Sequence, residues 1–275
     1  MNPPQNSCEP VKLAHTARKR FGQNFLHDSG VIARIVAAIA PRAGDHLVEI
    51  GPGQGALTFP LLERVGALTA IEIDRDLAAW LRSEAPRHGE LSLIEADALT
   101  VDFGAFESQP LRLIGNLPYN ISTPLLFHAL THANAIADMH FMLQREVVER
   151  MAAPAGNRTF GRLSVMLQAR CTVESLLLVP GGAFRPAPKV ESAVVRLVPR
   201  PPSDIADIDF AALDRVVRAG FAQRRKTLHN ALAGVADDAQ LRALGIDPSA
   251  RAETLPVPAW LELARAVASE THART

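Results

Sequence analysis

Asn116, Leu117, Pro118 and Tyr119 close an apolar run in the segment LIGNLPYNIS, which holds no acid, histidine or cysteine. A site built on this knot has no proton-transfer residue of its own. It suits a reaction whose donor arrives already activated, so that the protein supplies position and electrostatics. An exocyclic aromatic amine is a poor nucleophile because its lone pair is delocalised into the ring. Two carbonyl-type acceptors that hold its hydrogens favour the pyramidal nitrogen, and the Asn116 side-chain oxygen and the Leu117 backbone carbonyl are such a pair. Pro118 restricts Leu117 to extended backbone. Tyr119, the only tyrosine in the chain, offers a ring on which a base extruded from its stack can rest. The plainer reading of the same residues is a loop with a core tyrosine.

Other polar groups fall at comparable places along the chain. HLVEIG ends in Glu49 and runs into GPGQG, with Gly51, Gly53 and Gly55. ALTAIEID ends in Glu72 and Asp74, and LSLIEAD ends in Asp97. In an open parallel sheet ligands bind at the carboxyl ends of the strands, so these tips share one rim with Asn116. The glycine turn admits close backbone approach. Glu72, about twenty residues on, stands where an acid accepts both ribose hydroxyls. Asp97 can accept an adenine amine. An adenosine-bearing cofactor is implied. The spacing Gly51-x-Gly53-x-Gly55 departs from the G-x-G-x-x-G of NAD sites and suits a cofactor without a pyrophosphate, such as S-adenosylmethionine. Taken singly, the turn could be an ordinary tight connection, and the acids could be helix-start residues on a dipole. A second aromatic candidate, Phe184 in GGAFRPAPKVESA, could close the other side of a base sandwich, with Arg185 and Lys189 reaching phosphates. The alternative there is a phenylalanine packed on the sheet edge.

The elements that must carry these residues alternate strand and helix. DSGVIARIVAAIAP reads as a helix capped by Asp28 or Ser29. HLVEIG, ALTAIEID, LSLIEAD, LRLIGN and DMHFMLQ read as apolar strands. ALTFPLLERV, RDLAAWLRSEA, STPLLFHALTHA (capped by Ser122 or Thr123) and REVVERMAA read as helices between and after them. This predicts an α/β fold, a Rossmann-like parallel sheet with helices on both faces. GRLSVMLQARC reads as a helix, and TVESLLLVP and ESAVVRLVP as an antiparallel hairpin at the sheet edge. VPRPPSD reads as a linker. DFAALDRVVRAGFA, RKTLHNALAG, DAQLRALG and PAWLELARAVASE form a small helical domain. The division expected is a disordered tail over 1–17, a methyltransferase domain over 18–200, a linker over 201–206 and a helical RNA- or ribosome-docking domain over 207–275.

Twenty-nine basic residues balance twenty-nine acidic ones, so net charge selects no partner. The cations cluster, however, at Lys12, Arg18, Lys19 and Arg20, and again at Arg215, Arg218, Arg224, Arg225 and Lys226. Each cluster alone reads as a solvated face. Cys8 and Cys171 make no disulfide framework or metal set, which fits a reducing cytoplasm. The first twenty residues have no signal-peptide core, no apolar run reaches membrane-spanning length, and nothing requires more than a monomer.

After about Arg18 the sequence resembles the bacterial 16S rRNA adenine dimethyltransferases, the kasugamycin-sensitivity enzymes. The motifs that carry the resemblance are KRFGQNFL, EIGPGQGALT, IEID, EADAL, GNLPYNIS, FRPAPKVESAVV and RRKTL. The resemblance implies an enzyme that dimethylates N6 of two adjacent adenosines. These lie in the 3′-terminal hairpin loop of small-subunit rRNA, within an immature 30S particle, late in assembly. It implies cofactor contacts from Gln23, Asn24 and Leu26, for which spacing offers no argument, together with Gly51, Gly53, Glu72, Asp97 and Asn116. It supports Asn116, Leu117 and Tyr119 as the amine-handling group and Phe184 as a base contact. It makes Arg18, Lys19, Arg20, Arg185, Lys189, Arg224, Arg225 and Lys226 rRNA contacts, and it implies no metal. Three competing readings remain at this level. The macrolide-resistance methyltransferases of 23S rRNA share the rim but look less like FRPAPKVESAVV and RRKTL. A ribosome-assembly factor could bind through the same surface without catalysis. An NAD-linked oxidoreductase is disfavoured by the glycine spacing and the missing proton-transfer residue.

Overall fold

The computed structural model describes residues 24–108 and 110–273. The tail over 1–17, the cations Arg18, Lys19 and Arg20, and Gln23 lie outside them.

The strands are β1 (Phe25–Leu26), β2 (His46–Ile50), β3 (Ala67–Ile71), β4 (Glu90–Ile94), β5 (Leu111–Asn116), β6 (Ile136–Gln144), β7 (Cys171–Val179), β8 (Phe184–Arg185) and β9 (Ser192–Pro199). The helices are α1 (Ser29–Ile39), α2 (Thr58–Val65), α3 (Arg75–Glu84), α4 (Ser122–Thr131), α5 (Arg145–Ala152) and α6 (Arg162–Gln168), then α7 (Pro202–Ile205), α8 (Phe210–Phe221), α9 (Leu228–Ala231), α10 (Asp238–Ala243) and α11 (Val257–Ala273). Seven strands form one sheet in the order β4-β3-β2-β5-β6-β9-β7. The first five in that order are parallel, and β9 and β7 close the edge as an antiparallel pair. The chain runs outward from β2 to β4, then returns to place β5 against β2. That reversal is the switch point where a crevice opens beyond the strand ends.

The strands are apolar because both faces are covered. Leu47, Leu68, Ala70 and Ile114 pack with Val31, Ile35, Leu61 and Leu62 of α1 and α2. Val48, Ile71, Leu113 and Phe141 face the other way, onto Leu125, Leu126 and Ala129 of α4. Successive residues of one strand thus serve opposite cores. Far from the strand tips, Arg112 ties β5 to its neighbours, donating to Asp138 at 2.9 Å, to Asp45 at 2.5 Å and to the Ile39 carbonyl at 2.7 Å.

A third core holds the C-terminal helices around Trp260, Leu213 and Val216. It also takes in Phe160, Val165 and Met166, so α6 packs with the helical unit although it precedes residue 200. The expected linker is partly helical, since Pro202–Ile205 forms a short turn with proline at its start. RKTLHNALAG is helical only over Leu228–Ala231. Leu228 N–H donates to the Ala250 carbonyl and His229 N–H to that of Pro248, so these amides are not available to a helix that would start at Arg225. Asp28, not Ser29, caps α1, accepting from Val31 N–H at 2.9 Å. Helix α4 has no side-chain cap; Ser122 instead donates its hydroxyl to the Tyr119 carbonyl, fastening the helix to the loop before it.

Candidate active site

A cavity of about 190 Å³ lies at the switch point, beyond the tips of β2, β3, β4 and β5. Asn24, Leu26, Gly51, Gly53, Glu72, Asp97, Asn116, Leu117 and Tyr119, all expected from the sequence, line it together.

Each is placed by local structure. The tips of β2 and β5 approach so closely that a Cβ on Gly115 would lie 2.6 Å from the Ile50 carbonyl oxygen, so this position needs glycine. At the turn after β2, Gly53 has φ +57°, in the left-handed region, and donates its N–H to Glu72 at 3.2 Å. The other Glu72 oxygen accepts from Asp74 N–H at 2.9 Å, so both carboxylate oxygens are fixed and each retains a lone pair. Burial raises the pKa of Glu72; these backbone donors oppose the shift and the charge of Asp74 adds to it. Asp97 is exposed, lines the cavity, and caps the turn at Ala98–Thr100 by accepting from Leu99 N–H.

In the amine-handling group, Asn116 donates Nδ2 to the Asn24 carbonyl at 3.1 Å. That bond sets the amide orientation and leaves Oδ1 as the free acceptor. The arm before α1 therefore orients the asparagine as well as lining the cavity. Leu117 is buried, with its N–H donated to the Met142 carbonyl at 3.2 Å. The Tyr119 hydroxyl pairs with the Ser192 hydroxyl at 2.9 Å. Ser192, buried at the start of β9, thereby fixes the tilt of the ring.

Phe184 stands elsewhere than expected. It is 3 % exposed, packs with Leu26, Val31 and Met142, and is absent from the cavity lining. Strand β8 pairs with β1, Leu26 opposite Phe184, so the phenylalanine buries its ring beneath the arm instead of offering a face to a base. It holds up the segment that carries Asn24. Arg185, at the end of β8, and Lys189, on the loop that follows, are exposed and line neither this cavity nor a second cleft beside α4. Arg225 and Lys226 are exposed after α8, whereas Arg224 pairs with Glu253 at 3.0 Å and also donates to the Arg158 carbonyl.

Two lining residues, Ile73 and Glu49, and Ser192 behind Tyr119 lie beyond sequence reasoning as parts of the site. Ser192 carried no signal. Ile73 is 50 % exposed and offers an apolar surface at the cavity. Glu49 was visible as the acid before the glycine turn, but not its condition. It is 2 % exposed, and its Oε2 has no hydrogen-bond partner. Burial pushes its pKa up to about 7; the neighbouring Thr58 hydroxyl opposes the shift and, as a smaller effect, the charge of Glu72 adds to it.

This donor set fits S-adenosylmethionine. Glu72 matches a ribose diol, Ile73 and Asp97 match the face and amine of an adenine, and the orphaned Glu49 matches the positive methionine end. Among the described residues no cluster of histidine, cysteine, aspartate or glutamate could hold a metal.

The chain is similar to known proteins over most of its length. Residues 14–269 match the family model described as ribosomal RNA adenine dimethylase. The chain is 61% identical over 249 residues to "Ribosomal RNA small subunit methyltransferase A" of Xanthomonas euvesicatoria pv. vesicatoria (strain 85-10), covering 90% of this chain and 95% of that one. Among solved structures, a dimethyladenosine transferase from Plasmodium falciparum superposes with a TM-score of 0.76 at 26% identity, covering 87% of this chain and 95% of that one. The 23S rRNA methyltransferase ErmE superposes with a TM-score of 0.71, also at 26% identity, covering 89% of this chain and all of that one. With the family model spanning nearly the whole length, the chain belongs to the ribosomal RNA adenine dimethylase family.

Proposed function

We propose that this protein dimethylates N6 of two adjacent adenosines in the 3′-terminal hairpin loop of 16S rRNA, acting as a cytoplasmic monomer on the immature small subunit. It is an S-adenosylmethionine-dependent rRNA adenine dimethyltransferase, and the small-subunit assignment follows relatives about 60% identical that bear that name. The observation that carries the reading is the Asn116 amide, held by Asn24 with its oxygen free beside Leu117 and Tyr119.

S-adenosylmethionine, when bound, supplies an electrophilic methyl group on a sulfonium. Glu72 holds the ribose hydroxyls, Asp97 the adenine amine, and Glu49 the positive methionine end. Tyr119, tilted by Ser192, receives the target base. Asn116 Oδ1 and the Leu117 carbonyl accept the N6 hydrogens, which directs the nitrogen lone pair toward the electrophile. Each transfer would form one N–C bond at N6 and break the donor's S–CH3 bond, whose electron pair stays on sulfur as a neutral thioether, while an N6 proton leaves to water. After the first transfer one N6 hydrogen remains, so one acceptor suffices for the second. No strong base is required at either stage.

Label from methyl-labelled S-adenosylmethionine should enter small subunits that lack this modification and should not enter large subunits or DNA. Label in large subunits alone would replace the small-subunit reading with a 23S one.

A further inference from the structure

A second cleft, of about 770 Å³, opens where α4 and α5 of the sheet domain meet α6 and α8. Its place is informative. Ile121 lines the active-site cavity and Thr123 lines the cleft, so the two openings stand two residues apart at the start of α4. Two residues span at most about 7 Å of chain. The linings of the two openings therefore approach each other at the start of α4.

Its chemistry is cationic and aromatic. Arg150, Arg162, Arg170 and Arg224 face it against one acid, Asp214. The guanidinium of Arg170 lies 3.7 Å from the ring centroid of Phe210 and 5.9 Å from that of Phe127. It donates to the Met166 carbonyl, and no carboxylate lies within ion-pair distance of it among the described residues. The guanidinium is half-buried against these rings, and burial lowers its pKa, opposed by the charges of Cys171 and Asp214. Arg150 and Arg162 do have partners, Glu146 at 2.6 Å and Asp214 at 2.7 Å. These pairs are solvent-exposed, worth little, and readily exchanged for bidentate phosphate contacts. Phe127 and Phe221 are half-buried and line the cleft without filling it. An acidic peptide would use the arginines but has no need of the rings. Alternating phosphates and π-faces use both.

We propose that this cleft holds the nucleotide next to the target adenosine, its base against Phe127 or Phe221 and its phosphate on Arg162 and Arg170. The inference rests on the rRNA reading of the active site. For two adjacent targets, the cleft would keep the neighbouring nucleotide unstacked while the other is methylated.

The test uses the full-length protein and small subunits lacking the modification. Binding is measured against salt for wild type and Arg162→Ala, and ultraviolet cross-links in the wild-type complex are mapped by mass spectrometry. Arg162→Ala should flatten the slope of log K against log salt by roughly 0.7 to 0.9 for one lost phosphate contact, with cofactor affinity unchanged. Peptides containing Phe127 or Phe221 should cross-link to the nucleotide adjoining the target. An unchanged slope, with neither peptide cross-linked to that nucleotide, would overturn the proposal if wild type still methylates the subunit. Absence of methylation by wild type would overturn the rRNA reading and the cleft with it.

Discussion

Glu49 makes the binding of cofactor depend on pH in a way that can be worked through. Its carboxyl is buried at the cavity, with a pKa raised to about 7 in the ligand-free protein and one oxygen unpartnered. A positive ligand group beside it favours the carboxylate and draws its pKa down again. Binding then requires Glu49 to lose its proton wherever the free protein carries one. Above about pH 8 the affinity should reach a plateau; at pH 6 it should be about tenfold weaker and at pH 5.5 about thirtyfold weaker, each pH unit being worth 1.36 kcal/mol. At pH 6.5 binding should release about three-quarters of a proton from this residue. Calorimetry with S-adenosylmethionine in buffers of different ionisation enthalpy reads both quantities. Glu72 is also shifted upward, so Glu49→Gln should remove only the step centred near 7, leaving weak binding across the range. The same carboxyl bears on stability. A folded pKa above the unfolded one stabilises fully below 4.5, and that contribution is lost as pH rises through about 7. Glu49→Gln should therefore raise unfolding free energy at pH 8 by up to about 3 kcal/mol while abolishing tight cofactor binding. Affinity independent of pH, or a pH profile unchanged by Glu49→Gln, would refute the reasoning.

Other residues give sharper single readings. Glu72→Ala removes the acceptor of two hydroxyls and should weaken cofactor binding by about 3 kcal/mol, over a hundredfold in Kd by calorimetry, whereas an unchanged Kd would remove the ribose assignment. Ser192→Ala should leave cofactor affinity intact and lower kcat/KM for the subunit severalfold, since one hydrogen bond of about 1 kcal/mol holds the ring. Because Tyr119 is the only tyrosine, tyrosine labelled at Cζ gives one carbon signal, which should shift in Ser192→Ala as the hydroxyl loses its partner. Replacing Arg225 and Lys226 with alanine should flatten the salt dependence of subunit binding without touching the cofactor, and an unaltered slope would take them off the RNA.

Much of this molecule is legible in the sequence because its signals are periodic and local. The apolar strands, the helices between them and the polar residue closing each strand can be read before any coordinates, and the rim of Gly51, Glu72, Asp97 and Asn116 follows from strand order alone. What escapes is set by long-range pairing. For Phe184 the sequence leaves open a base contact or a ring packed on the sheet edge, because nothing local announces that β8 pairs with β1 and buries it. Ser192 meets Tyr119 across 73 residues of chain, a contact no spacing encodes. The cap on α4 failed because the Ser122 hydroxyl found the Tyr119 carbonyl instead. The shortness of α9 reflects amides claimed by the 248–250 loop. Asn24 was marked by family resemblance alone; its carbonyl, bonded to Asn116, supplies the physical reason.

The central claim is that Asn116 and its neighbours present acceptors to an adenine N6, and Asn116→Ala tests it most directly. Small subunits lacking the modification would be incubated with S-adenosylmethionine and either wild type or this variant, and their nucleosides identified by mass spectrometry. The account predicts N6,N6-dimethyladenosine with wild type, and with the variant a subunit still bound but its adenosines unmethylated. Dimethyladenosine formed by Asn116→Ala at the wild-type rate would contradict it.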